Sequence, residues 1–263
     1  MDATLIEALG DELFHALRER RSVPPLTQRY PNLTLETAYQ ISLRFLQRRE
    51  ALGEQVVGKK IGVTSRAVQD MLDVHQPDFG FLTHRMHVAN DSEVSFHSHH
   101  LVQPRAEGEI AFILGEDLNG PGITAQDVMA ATQWVAPCFE IVDSRIVDWK
   151  IRIQDTVADN ASCGVFALGD ERINPRELDL AKVELNLLKN GLPAGQGLGS
   201  AVQGHPCAAV AWLANTLGKF DIPFRKGEII LSGALAPLVP VQPGDHVSLS
   251  LSGLGSARLR FVS

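Results

Sequence analysis

The segment Pro104-Arg105-Ala106-Glu107-Gly108-Glu109-Ile110-Ala111-Phe112 sets two glutamates two positions apart in an apolar, strand-like setting. On a strand Glu107 and Glu109 share one face, with Cα atoms about 7 Å apart. Two carboxylates aimed into one space repel, and burial adds to the cost of ionising either. A hard divalent cation such as magnesium, which takes several oxygen ligands, removes both problems. A third carboxylate lies in Cys138-Phe139-Glu140-Ile141-Val142-Asp143, where Glu140 interrupts an otherwise apolar strand. An unpaired charge there is expensive. The same residues also permit a plainer arrangement, with Glu107 and Glu109 on a solvated edge and Glu140 paired with Arg105 or Arg145.

Four further segments bear on chemistry. In Gly58-Lys59-Lys60-Ile61-Gly62-Val63-Thr64-Ser65, Lys60 stands between two glycines on its own face of a strand. Glycine lets a ligand or another backbone approach closely, so Lys60 could reach a carboxylate or enolate over a bare floor, or could simply form a salt bridge. Pro77-Asp78-Phe79-Gly80 reads as a turn, in which an aspartate caps its own loop. Thr156-Val157-Ala158-Asp159-Asn160-Ala161-Ser162-Cys163-Gly164 is a small, polar stretch that either presents groups to an anion or is a helix exit. His97-Ser98-His99-His100 reads as a solvated segment, since only His97 and His99 share a face. Cys163 has no base nearby in sequence to activate it, and no dinucleotide, Walker or nucleophile-elbow motif is present.

These residues need elements to carry them. Leu5, Leu9, Leu13 and Leu17 form an apolar stripe on a helix over about Thr4–Arg20. A second helix starts at the N-cap Thr34 and stops near Gly53, carrying Ala38, Ile41, Phe45 and Leu46. Residues 1–53 therefore form an N-terminal helical lobe, and residues 54–263 a catalytic body. In that body the period changes to two, with Val57, Ile61 and Val63 on one face. Strands follow at Glu109–Leu114, Pro137–Val142, Val183–Lys189, Glu228–Leu231, His246–Leu251 and Ala257–Val262, the last two joined as a hairpin. Helices are expected at Ser65–Leu72, Thr124–Ala131, Asp148–Val157 and Pro206–Leu217. Strands without regular βαβ alternation make this an α+β fold with a roll- or barrel-like body.

Bulk properties exclude other classes. The 263 residues carry a net charge of -7, which attracts no polyanion over a broad face, so no nucleic acid is expected as partner. No apolar run is long enough to span a bilayer. The three dispersed cysteines, Cys138, Cys163 and Cys207, suggest neither a disulfide framework nor a thiolate zinc site. A cytoplasmic protein is expected.

In their order along the chain, Gly58–Ser65, Pro77–Gly80 and Pro104–Phe112 resemble the 2-hydroxypenta-2,4-dienoate (2-oxopent-4-enoate, vinylpyruvate) hydratases of the fumarylacetoacetate-hydrolase superfamily. The likeness continues through Pro137–Arg145, Gln154–Gly164, Gly197–Pro206, Ala211–Leu217 and Gly227–Gly233. It implies a mixed β-roll with an N-terminal helical lobe and a magnesium or manganese ion on Glu107, Glu109 and Glu140. It further implies Lys60 beside the substrate carboxylate or C2 oxygen, and Asp78 as general base or water-orienting group. Ser162, Asn160 and Gly62 would contact the substrate. The implied reaction is hydration of the dienoate to 4-hydroxy-2-oxopentanoate in the meta-cleavage pathway of aromatic catabolism, by a homo-oligomer that could associate with the pathway decarboxylase or aldolase. Related sequences often have glycine where this chain has Asp73, which implies an altered loop. The nearest rival is the sister 2-oxo-3-hexenedioate (4-oxalocrotonate) decarboxylase, in whose relatives the loop at Pro77–Gly80 generally lacks the acid. An acylpyruvate hydrolase would need a His–Glu pair in an N-terminal loop, and none is identifiable. A non-catalytic partner subunit would have no reason to gather three acids.

Overall fold

The computed structural model describes residues 1–65, 69 and 76–263. The helix expected over Ser65–Leu72 and the loop at Asp73 fall largely or wholly outside those residues. Two long helices open the chain: α1 (Ala3–Glu19), capped by the Asp2 side chain accepting from the Leu5 amide at 2.8 Å, and α3 (Leu35–Glu50). The Thr34 hydroxyl caps α3 by accepting from Thr37 N–H at 3.2 Å, as its residue type requires. Between them lies the short α2 (Leu26–Arg29).

The body is built on two sheets. The larger is mixed and runs β2 (Asp78–Thr83), β1 (Val56–Gly62), β10 (Ile229–Leu231), β5 (Arg105–Leu114), β6 (Thr132–Val142), β7 (Cys163–Leu168), β3 (His87–Val88), with β11 (Val239–Pro240) also on β5. It curls into a half-barrel. The smaller runs β4 (Glu93–Ser95), β13 (Gly255–Val262), β12 (His246–Leu251), β8 (Glu184–Lys189), β9 (Leu192–Leu198). Among the described residues, three further helices, α4 (Ala125–Ala131), α5 (Ile153–Ala158) and α6 (Pro206–Gly218), belong to the body. Among the described residues no helix is long and apolar enough to cross a membrane.

Alternation decides what each face of the large sheet does. Ile61, Phe79, Phe81, Ile110, Phe112, Phe139 and Ile141 point outward, where they join Val247, Leu249, Leu259 and Phe261 of the small sheet and α6 in the main core. The intervening residues point into the half-barrel, where a smaller apolar cluster of Leu82, Ala111, Cys138, Phe166 and Leu231 adjoins the polar site. A third cluster joins α1 and α3 to Ile146 and to Ile153, Val157 and Ala158 of the body.

Several expectations from the sequence need correction. Pro77–Gly80 is not a turn, because Asp78 opens a fully buried strand that pairs antiparallel with β1. The aromatic–glycine alternation of Asp78-Phe79-Gly80-Phe81 is a two-faced strand pattern with little apolar surface on its inner side. Cys163–Leu168 is strand β7, and β9 was also invisible to alternation. The helix expected over Asp148–Val157 starts only at Ile153, since Asp148 and Trp149 adopt left-handed φ of 55° and 54°. Of the expected face Val57, Ile61 and Val63, Ile61 alone enters the main core. A register shift between Val56 and Gly58 turns Val57 toward the inner cluster, and Val63 leaves the strand at φ 56° to meet the helices.

Phe45 is fully buried between the helical lobe and the body, edge-on to Phe14 and 5.6 Å beneath the Arg145 guanidinium. Phe45→Ala is expected to cost about 3–5 kcal/mol of unfolding free energy, measured by chemical denaturation.

Candidate active site and metal centre

Register brings the acids together. Glu107 on β5 lies directly opposite Glu140 on β6, and Glu109 lies opposite Cys138. All three carboxylates project from one face, with ligand atoms within 4.8 Å of one another. Glu109 and Glu140 are fully buried. The solvated-edge arrangement is thus overturned, and neither Arg105 nor Arg145 pairs with Glu140. Its partner is Lys60 of β1, at 3.2 Å.

Lys60 reaches this face because Lys60↔Leu231 on β10 and Leu231↔Ala111 on β5 put it in the same row of inward side chains. Lys59 points the opposite way, where it is buried against Glu228, the Pro223 carbonyl and the Phe224 ring. Neighbouring lysines therefore serve different faces of one strand. Asp78 enters from β2, paired with Gly62. A Cβ at Gly62 would stand 2.3 Å from Asp78 Oδ1 and 3.3 Å from Lys60 Nζ, so glycine is what admits both groups.

Among the described residues, five buried side-chain oxygens lack a hydrogen-bond partner: one each on Asp78, Glu109 and Ser232, and both on Glu140. The Lys60–Glu140 contact is an ion pair without hydrogen-bond alignment. The other Glu109 oxygen accepts from Gly233 N–H at 2.8 Å, where the chain turns at φ 107°. Among the described residues, four carboxyl groups thus face a single ammonium. Burial, then the charge of Glu140, pushes Glu107 up to about 8 and Glu109 well above the carboxylate range. Burial likewise raises Asp78, against the pull of Lys60. Burial opposes the charge on Lys60, but Glu140 and Asp78 outweigh it and hold the ammonium firmly protonated. Orphaned oxygens in an all-oxygen set, short of positive charge, fit a hard divalent cation.

The turn after α5 forms the side wall. Asn160, Ala161 and Ser162 adopt left-handed φ of 54°, 49° and 53°, an unfavourable conformation for each residue. A buried ion pair compensates: Arg145 Nε donates to Asp159 Oδ1 at 2.6 Å, and its Nη2 to the Asp159 carbonyl at 2.7 Å. Asp143 N–H donates to the Ser162 carbonyl at 2.7 Å. Asn160 uses its whole amide on β2, accepting from Phe81 N–H at 2.8 Å and donating to Phe81 C=O at 3.0 Å. Its backbone carbonyl leaves room only for hydrogen at Gly80. The Ser162 hydroxyl lies 3.0 Å from that of Thr156.

Sequence reasoning missed the Arg145–Asp159 pair, Gly233 and Tyr39. Tyr39 stacks on Phe79 at 4.3 Å, next to Asp78. A charged residue amid small ones, as at Asp159, was the only local sign of the first.

Residues 46–262 match the fumarylacetoacetate (FAA) hydrolase C-terminal family. The chain belongs to that family. It is 62% identical over 261 residues to a 2-hydroxyhexa-2,4-dienoate hydratase of Comamonas testosteroni, covering 99% of both chains. It is 61% identical over 222 residues to a 2-hydroxypent-2,4-dienoate hydratase of Pseudomonas putida, covering 84% of this chain and 100% of that one. Among solved structures, the 4-oxalocrotonate decarboxylase of Pseudomonas putida G7, complexed with magnesium and adipate, superimposes with a TM-score of 0.95 at 34% identity. The match covers 100% of this chain and 99% of that one.

Raised carboxyl values fix the sign of a pH effect. Glu107 binds its proton more tightly folded than unfolded, so this contribution to stability is present below its ordinary value of 4.5 and lost as pH rises through about 8. Metal-free protein should therefore melt at progressively lower temperature between those limits, and a divalent cation should abolish the decline. Differential scanning calorimetry with and without chelator checks this.

Asn160→Ala should speed hydrogen exchange at the Phe81 amide and cut turnover about 10- to 100-fold at nearly constant KM, through misplacement of β2 and Asp78. In an Asp78→Asn background the same change should cost little more. An additive loss with a raised KM would instead make Asn160 a direct substrate contact.

Proposed function

We propose that the protein is a divalent-metal-dependent hydratase that adds water to 2-hydroxypenta-2,4-dienoate (2-oxopent-4-enoate) to give 4-hydroxy-2-oxopentanoate. Identity of 62% across essentially the whole of a dienoate hydratase is the observation that carries the assignment. The decarboxylase shares the scaffold, but at 34% identity. Glu107, Glu109 and Glu140 would hold the cation, and their oxygen-only donor set suits magnesium or manganese. A bound cation supplies Lewis-acid stabilisation of negative charge on the oxygens of a 2-oxo acid.

The chain's own groups account for the rest. Ketonisation of the dienol to the conjugated enone makes C4 electrophilic. Asp78, its carboxylate made more basic by burial, accepts a proton from water as the oxygen adds at C4, and C3 is reprotonated. The Lys60 ammonium offers positive charge to the substrate carboxylate or C2 oxygen and is a candidate proton carrier. Gly62 keeps the floor open between the two, and Ser162 contacts the substrate from the side wall. Homo-oligomeric assembly belongs to the same reading, as does a cytoplasmic location and association with the pathway decarboxylase or aldolase. Leu192 and Leu198 on the edge strand β9 are exposed apolar surface that an assembly would cover.

Loss of the dienol ultraviolet band with a mass gain of one water is expected, abolished by chelator and restored by magnesium. Asp78→Asn should lower kcat about 10²- to 10⁴-fold. If the dienoate is untouched while 2-oxo-3-hexenedioate loses carbon dioxide, the decarboxylase assignment replaces this one.

A further inference from the structure

We propose that the cavity between α1, the end of α3 and β7 is a second ligand site, which takes a small oxyanion, a carboxylate or a phosphate. It lies outside the carboxylate cluster and encloses about 290 Å³, enough for such an anion. Arg18, Arg49, Arg85 and His100 line it, over a floor of Gly164 and Val165. Among the described residues the lining contains a single carboxylate, Glu54, which Arg49 and Thr83 already occupy.

The guanidinium groups outnumber their partners. Arg49 is 7% exposed and turns Nε and Nη2 to Glu54 and Thr83, while Nη1 has no protein partner among the described residues. Neither Arg18 nor Arg85 pairs with a carboxylate among those residues. Arg18 instead donates to His100 Nε2 at 2.8 Å, which obliges that ring nitrogen to act as an acceptor. Beside them Arg20 bonds His97 Nδ1 at 3.3 Å and the Leu101 carbonyl at 3.4 Å, again without a carboxylate. Three guanidinium groups against one carboxylate leave two positive charges within one cavity, in a chain whose net charge is -7. Burial, followed by Arg18, His97, Arg49 and Arg20, depresses the His100 imidazole, and no acid appears among the groups acting on it.

Arg18 and Arg85 are exposed at the mouth, where water reaches them, whereas Arg49 is buried with Nη1 short of a protein acceptor among the described residues, and an anion between the three would supply it. Guanidinium forks match the planar or tetrahedral oxygens of carboxylate and phosphate. The histidine tract thus serves as the rim of a cationic cavity and is more than solvated chain: His97 is exposed, whereas His99 and His100 are half-buried. Lys60 cannot supply the same site, since it points into the half-barrel against Glu140.

Isothermal titration of inorganic phosphate, and separately of succinate, into the metal-free full-length protein tests this inference without reference to catalysis. Saturable binding at one site per chain is expected, retained in Lys60→Met and weakened at least tenfold in the double variant Arg18→Ala/Arg85→Ala. In the unsubstituted protein the same additions should shift the ring resonances of His99 and His100. The tighter of the two probes identifies the class of anion. Absence of saturable binding by both, undiminished affinity in the double variant, or unmoved histidine signals would overturn the assignment.

Discussion

Three carboxylates held within a few ångströms of one another, with little water to solvate them, constitute the constraint around which the half-barrel is organised. Side chains alone could not hold such a cluster, because the acids would rotate apart or be taken up by nearby arginines. The cross-strand register of Glu107 and Glu140, and the two-residue period that aims Glu109 alongside, leave them no such escape. The glycines at 62 and 80 follow from the same demand for space, since a methyl group at either would meet Asp78 or Asn160. Lys60 then has one task that Lys59 does not share: it offsets part of the negative charge and leaves the remainder for a cation.

Rigidity is supplied from behind. The strained run Asn160–Ser162 persists because Asp143 N–H holds the Ser162 carbonyl at its end and Arg145 binds the carboxylate and carbonyl of Asp159 just before it, with both Arg145 and Asp159 fully buried. Burial pushes Asp159 up to about 6 even beside Arg145, a sign that the pair serves geometry more than stability. Phe45 of α3 lies against that arginine and Thr27 of α2 hydrogen-bonds Asp155 of α5, so the helical lobe braces the wall of the site. The opening helices therefore share a core with the body that they precede.

One scaffold at a TM-score of 0.95 joins this chain to a decarboxylase, while its identity is much greater to hydratases. Stabilising negative charge at the oxygens of a 2-oxo acid would be useful to both reactions, and in the proposed reading the carboxylate cluster with its cation and lysine supplies it. Under the proposed reading, hydration further requires a group that orients and deprotonates water. In the proposed hydration that group is Asp78, which enters the half-barrel from β2 opposite Gly62.

By itself the sequence determined the acids, the lysine between its glycines, the long helices with their caps, and most strands of the body, because burial periodicity and capping chemistry are local. Resemblance across ordered segments then identified the family that the comparisons also show. It did not reveal that Asp78 opens a strand, because the inner side of Asp78-Phe79-Gly80 carries almost no apolar surface to mark it. Nor did it reveal that Asn160 spends its amide on Phe81, or that Arg145 belongs to Asp159 and not to Glu140. Those pairings join residues 79 and 14 positions apart, which only the folded chain brings together. Which charge faces which is set by register and burial, and both are properties of the folded chain.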